Sequence, residues 1–294
     1  MLFRSDDPAT QIAVVSDRYK VVQPRTVLEF FRDLCATNAW KLETAGVLGG
    51  GAKYWALART TLEDGVNGDA HQVYVLLATS ADGSMATIAR PTATRVVCQN
   101  TLTMALSSSD GKAVKVPHST LFNPDAVRAQ LGLVDLDASW ETFRKRMQAL
   151  AETEVAPAVA SAYFAELLRP TGVSPVQRAA AAAEGDETFA ALLGKPIGQA
   201  AAAPTSTRAI RGLADLERSY TQAPGAVPGT AYGLLQGVTH WVDHARGRDA
   251  EGRIQSALFG QGQALKDRAL ALAETVSADL QAAAYSRVVE PCVS

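Results

Sequence analysis

The sequence predicts an α+β fold: an N-terminal antiparallel β-sheet with packed helices, followed by a mostly helical C-terminal half. Three observations carry this. Short runs rich in β-branched and aromatic residues, punctuated by glycine, crowd residues 40–79. A proline-opened stretch of helical period precedes them. From residue 123 onward alanine is abundant and apolar residues recur at helical spacing. Helix, antiparallel strands and helix together make an α+β plan.

The elements follow in order. Ile12 to Val15 and Tyr19 to Val22 are short β-like runs. Pro24 opens a helix in which Val27, Leu28, Phe31 and Leu34 recur at helical spacing, with Asn38 as its stop. Trp40 to Leu48 and Lys53 to Arg59 read as strands joined through Gly49-Gly50-Gly51. Leu62 to Ala70 is acidic and contains glycine, which predicts an exposed loop. His71 to Thr79 is the clearest strand, Ala81 to Ser84 a turn, and Met85 to Ile88 the start of another strand. Thr92 then caps an expected helix to about Leu106, with Ala93, Val97, Thr101 and Met104 on one face. Lys112 to Val116 alternates like a strand.

The expected division is an α+β core over 1–122 (helix, β-hairpin, strand, helix) and a mainly helical region over 123–294. Asn123-Pro124 resembles a cap and a first-turn proline. Helices are expected at about 139–155, 207–220, after Thr230, and at about 262–283. Pro157 and Pro170 divide the stretch between into shorter pieces, residues 185–207 read as loop-like or only weakly helical, and no fixed-period repeat is present.

Composition narrows the function. The 294 residues carry a net charge of −2, so a strongly basic field over the whole protein is excluded. Any nucleic-acid site is therefore local, and a local excess exists. Between Ser84 and Thr120 the charged residues are Arg90, Arg95, Lys112 and Lys115 against Asp110 alone. No apolar run reaches the roughly 20 residues of a membrane span, and the N-terminus has no signal-peptide layout, so a cytoplasmic protein is expected. Cys35, Cys98 and Cys292 are far apart and form no C-x-x-C pair, which disfavours a disulfide framework or a zinc site.

Motifs of catalysis are missing. There is no phosphate loop of the G-x-x-x-x-G-K-[ST] type, no G-x-G-x-x-G after a strand and no G-x-S-x-G elbow. His240, Asp243 and His244 share one helical face and could in principle hold a metal, but no fourth ligand and no H-E-x-x-H glutamate accompany them. Structural hydrogen bonding is the plainer role. No cofactor, metal or catalytic residue is assigned. Single-strand binders combine a charged groove with aromatic stacking platforms. Lys53, Tyr54, Trp55 and Arg59 lie on one strand, with Lys53, Trp55, Leu57 and Arg59 on one face and Tyr54 and Ala56 on the other. The same face also suits an ordinary amphipathic surface with Trp55 half-buried.

Ala93-Thr94-Arg95-Val96-Val97-Cys98-Gln99-Asn100-Thr101-Leu102, then Val116-Pro117-His118-Ser119, and finally Gly237-Val238-Thr239-His240-Trp241-Val242-Asp243-His244 occur in that order. In this the chain resembles the phage/plasmid-like proteins grouped as domain of unknown function 932. The expected helix, β-hairpin, strand, helix layout in turn distantly resembles the core of single-strand annealing proteins of the Rad fifty-two type. The resemblance implies a non-catalytic protein that binds and anneals single-stranded DNA in phage or plasmid recombination or replication, as a homo-oligomeric ring or filament. Carried over by position, Arg90 and Arg95 would meet phosphates with Lys53 and Lys112 or Lys115 nearby, and Tyr54 or Trp55 would stack bases. Two alternatives stand beside it: an accessory protein of a mobile element, such as a host-defence inhibitor or replication factor, and a metal-dependent hydrolase using His240, Asp243 and His244.

Overall fold

The computed structural model describes residues 1–66, 68–96, 101–103, 114–116, 136–183 and 207–289. The fold is α+β, and it divides into two units, the first closing at Arg144 and the second beginning at Lys145.

The first unit opens with a small ribbon of β1 (Leu2–Phe3) and β2 (Gln11–Ala13). Helix α1 (Pro24–Thr37) follows, with proline in its first turn as the sequence predicts. Asn38 closes it: its backbone N–H and its side-chain amide both donate to the Leu34 carbonyl, at 3.2 and 2.8 Å. The apolar stripe Val27, Phe30, Phe31, Leu34 and Cys35 packs on Ala56, Ala58, Val75, Leu77 and Ala89 of the sheet, making the core of this unit. Small alanines on the strands let the two phenylalanines approach the sheet closely.

The sheet runs β3 (Lys41–Leu48), β4 (Lys53–Val66), β5 (Asp69–Ser80), β6 (Thr87–Arg95) and β7 (Thr101–Thr103), all antiparallel, with β8 (Val114–Val116) also on β6. A tight turn over Gly49–Gly51 joins β3 to β4, and there Gly50 takes φ 62°, a conformation that favours glycine. Strand β5 is buried along both faces, from Val75 to Ser80, which explains its near-continuous apolar run.

Three expectations are corrected. Leu62 to Ala70 is not a loop: β4 and β5 continue as a hairpin to the pair Val66–Asp69. The two residues between that pair are Asn67-Gly68, a strong sequence signal for a hairpin turn. The acidity of the stretch reflects the exposure of Glu63 and Asp64, not an absence of pairing. The helix expected from Thr92 does not form either, since residues 87–95 are strand β6, paired with β5 from Ala78–Ile88 to His71–Arg95. The alternation of Ala89, Pro91 and Ala93 with Arg90 and Thr92 has the two-residue period of a strand, and ladder pairing outweighs the helical spacing of a few apolar residues. Pro91 pairs with Val75 of β5 and lies between the described pairings of β6 with β7 and β8. Tyr19 to Val22 forms no strand.

The second unit is helical. Helix α2 (Leu136–Ala151) enters it and is followed by α3 (Pro157–Leu168), α4 (Pro175–Ala183), α5 (Thr207–Gln222), α6 (Ala231–His240), α7 (Ala250–Phe259) and α8 (Gln261–Val289). The Thr230 hydroxyl accepts from the Gly233 N–H at 2.9 Å and caps α6; Asp249 does the same for α7 through Gly252 at 2.7 Å. Tyr163, Phe164, Leu167, Leu234, Leu235, Val238 and Val276 fill the interior. Gly237 permits α5 to approach α6, since a Cβ there would lie 2.9 Å from the Tyr220 Cα. The buried Tyr163 hydroxyl donates to the Ala269 carbonyl at 2.8 Å, and burial pushes its pKa up. Among the described residues no helix is long and apolar enough to cross a membrane.

Candidate nucleic-acid interface

Alternation along β4 sorts the candidate residues onto two faces. Ala56 and Ala58 face α1, and Tyr54 belongs to that side. Lys53, Trp55, Leu57 and Arg59 take the other. Register extends this second face across the sheet. Trp55 pairs with Ala78 and Ala78 with Ile88; Leu57 pairs with Leu76 and Leu76 with Arg90; Arg59 pairs with Tyr74 and Tyr74 with Thr92. Lys53, Trp55, Arg59 and Arg90 therefore share a face, with Arg90 two strands, about 10 Å, from β4. Tyr54 is separated from Trp55 by the sheet, so the two cannot stack in one groove. Lys115 pairs with Ile88 and Arg95 with His71 in the ladder, while Lys112 lies outside the described residues.

The shared face is not uniformly open. Leu76, Ser80 and Thr92 are buried, whereas Lys41, Glu43, Thr44 and Arg59 are exposed. The accessible strip thus lies along β3 and β4, with Trp55 and Leu57 half-buried within it. Trp55 is fixed by Gly46, its register partner, because the indole lies across the glycine where a side chain would stand. Its Nε1–H is buried without a hydrogen-bond partner.

Arg59 is held by a bulge. The ladder steps from Arg59–Tyr74 to Glu63–Gln72, leaving Thr60, Thr61 and Leu62 opposite Val73. The Gln72 amide repairs the break by donating to the Thr60, Leu62 and Val73 carbonyls at 3.1, 2.9 and 3.1 Å, and the Thr60 hydroxyl donates to Val73 at 2.9 Å. The free oxygen of the same amide accepts from Arg59 Nε at 2.7 Å. Arg59 also forms an ion pair with Glu63 at 2.9 Å, so its charge is already partly balanced. Tyr74 donates to Glu43 at 2.9 Å. Its pKa is pushed up to about 12, by burial first and then by that carboxylate.

Lys41, Glu43, Gly46, Gln72 and Tyr74 also belong to this face, and the sequence pattern does not mark them as site residues. An isolated glycine inside a strand run was the available signal for Gly46. Nothing local marks Gln72, whose work depends on a bulge in the neighbouring strand.

The His240, Asp243 and His244 cluster is built differently. Helix α6 passes into a single π-turn, Trp241–Ala245, a feature often found at functional sites. His240 Nδ1 lies 3.2 Å from the Ser219 hydroxyl, and the two imidazole rings are 4.9 Å apart. Asp243 accepts from Lys266 at 2.8 Å, and that ammonium is fully buried. The carboxylate is thus committed to a neighbouring cation. Among the described residues no group of three or more His, Cys, Asp or Glu could hold a metal ion.

The family described as a domain of unknown function, DUF932, matches residues 11–259, and the chain belongs to it. No curated protein and no solved structure matches.

Proposed function

We propose that the protein binds single-stranded DNA and promotes its annealing, without catalysis, in the service of a phage or plasmid. The observation that carries this reading is the face shared by Lys53, Trp55, Arg59 and Arg90, in which a braced indole stands among cations. Phosphates would be held electrostatically, and one base would stack on the half-buried Trp55. The net charge of −2 limits the field to this strip, so an oligomer would be needed to concentrate it. Fluorescence anisotropy of a labelled single-stranded oligonucleotide at rising salt, with a duplex control, tests the proposal. Submicromolar binding that prefers single strands and weakens with salt supports it. No binding at low salt overturns it.

A second reading is an accessory protein of a mobile element that acts through a protein partner. It is favoured by the pairing of Arg59 with Glu63, which offsets part of the positive charge of the strip.

A further inference from the structure

Strand β3 ends the described sheet, with β4 as its ladder neighbour. Lys41 through Ala45 and Val47 are exposed, and Leu42 and Val47 keep 47% and 55% of their surface. An exposed edge of this length presents unpaired backbone groups to any second strand.

The side chains of β3 are ordered in a way that suits one partner. A bulge lets Leu42 pair with Ala58 and Thr44 with Leu57, so Glu43 is an extra residue. Without it, Leu42 and Val47, five residues apart, would fall on opposite faces. With it, Leu42, Ala45 and Val47 pair with Ala58, Ala56 and Tyr54, all on the α1 side. The exposed strand therefore carries a wholly apolar stripe of large, small, large on one face. The charged residues Lys41 and Glu43 lie on the other face, where Lys41 pairs with Arg59 and Glu43 bonds Tyr74.

We propose that β3 pairs antiparallel with β3 of a second copy of this chain, about a two-fold axis through Ala45. Counting the bulge as one position, this register sets Leu42 against Val47 of the other copy twice and Ala45 against itself. On the opposite face Lys41 meets Leu48, and Glu43 and Thr44 meet Gly46, so no like charges oppose each other. The self-complementary stripe is what selects a second copy over an unrelated strand. Such a contact is isologous and closes at two subunits, so a ring would need a further, heterologous contact. The apolar stripe of Leu42, Ala45 and Val47 lies on the face away from Trp55 and Arg59, and the pairing is measured without DNA, so its failure is distinguishable from failure of the DNA-binding reading.

The test uses the full chain with Cys98→Ser and Cys292→Ser, to which Ala45→Cys is added. Cα atoms facing across a two-fold antiparallel pair stand about 4.5–5.5 Å apart, within disulfide reach. Mild oxidation is expected to give a covalent dimer from Ala45→Cys and none from Val14→Cys, an exposed position elsewhere. Sedimentation should show wild type as a reversible dimer, weakened at least about tenfold, about 1.4 kcal/mol, by Leu42→Lys with Val47→Lys. Circular dichroism of that variant shows whether it is folded. Three results would each overturn the proposal: a monomer at all concentrations, equal cross-linking at residues 14 and 45, or an oligomer that the folded double-lysine variant leaves unchanged.

Discussion

The indole nitrogen of Trp55 lies 2.7 Å from the point where a Cβ on Gly46 would stand, and two of its ring carbons lie 2.8 Å away. Gly46 is thus a seat for the indole. Gly46→Ala must displace the ring, and overpacking of this kind costs about 1–3 kcal/mol. A lowered denaturant midpoint with a shifted tryptophan emission is expected. An unchanged midpoint would show that the ring swings away freely and is not a braced platform.

Gln72 fills a bulge and steadies Arg59 with one amide. Gln72→Leu leaves the Thr60 and Leu62 carbonyls short of a donor inside the sheet. Each unsatisfied buried group costs about 1–3 kcal/mol. Destabilisation of that order is expected in urea unfolding. Gln72→Glu should be no better, because a carboxylate cannot donate to those carbonyls.

Much of the first unit was legible because its signals are local. Pro24 and Asn38 bound α1, the glycines at 49–51 mark a turn, and the run from His71 to Thr79 reads as the central strand. The split between Tyr54 and Trp55 follows from strand period alone. What the sequence hid depends on partners distant along the chain. Residues 92–95 carry some helical spacing, and only the ladder to β5 decides for a strand. Likewise His240, Asp243 and His244 have metal-like spacing, and only Lys266, on another helix, shows the carboxylate committed elsewhere. The strip itself was half-visible: Lys53, Trp55 and Arg59 lie on one strand, but Lys41 and Glu43 enter from β3 and Gln72 and Tyr74 from β5.

In the helical unit Glu166 closes the turn between α3 and α4. It accepts from the Thr171 N–H and hydroxyl at 2.7 Å each, the Gly172 N–H at 2.9 Å and Arg178 at 2.7 Å, and it is nearly buried with Arg178. Burial alone would raise its pKa. The Thr171 hydroxyl, the two N–H groups and Arg178 outweigh it and lower the pKa overall. A carboxylate lowered in the folded state stabilises above its ordinary range, and that stability is lost as pH falls through the lowered value. Glu166→Gln is therefore expected to flatten the acid limb of the unfolding midpoint against pH. Arg178→Met leaves a buried carboxylate short of its cation and should cost about 3–5 kcal/mol.

Lys266 and Asp243 make a second enclosed pair, on α8 and in the π-turn. Lys266→Met takes this ammonium from a largely buried carboxylate, and breaking a buried pair in this way costs up to about 3–5 kcal/mol. The double change Lys266→Met with Asp243→Asn should recover part of that loss, because both charges of the pair are removed together. Urea unfolding of the two single variants and the double variant measures the coupling. Additive effects would show that the pair contributes nothing as a pair.

The proposed DNA strip makes its sharpest prediction at Glu63, whose carboxylate lies 2.9 Å from Arg59 with both side chains substantially exposed. A surface pair of this sort contributes about 0–1 kcal/mol to stability, so Glu63→Gln should leave the fold intact. It should also release Arg59 toward a phosphate. If Arg59 contacts the backbone of a single strand, the freed charge adds about one counterion released on binding, and the salt slope steepens by about 0.7. Affinity at low salt should rise several-fold, and Arg59→Ala in the same background should abolish the gain. The opposite outcome is equally informative. A Glu63→Gln variant that is folded and binds single strands with unchanged affinity and slope places Arg59 outside the interface, and the ion pair is then part of the bulge it borders.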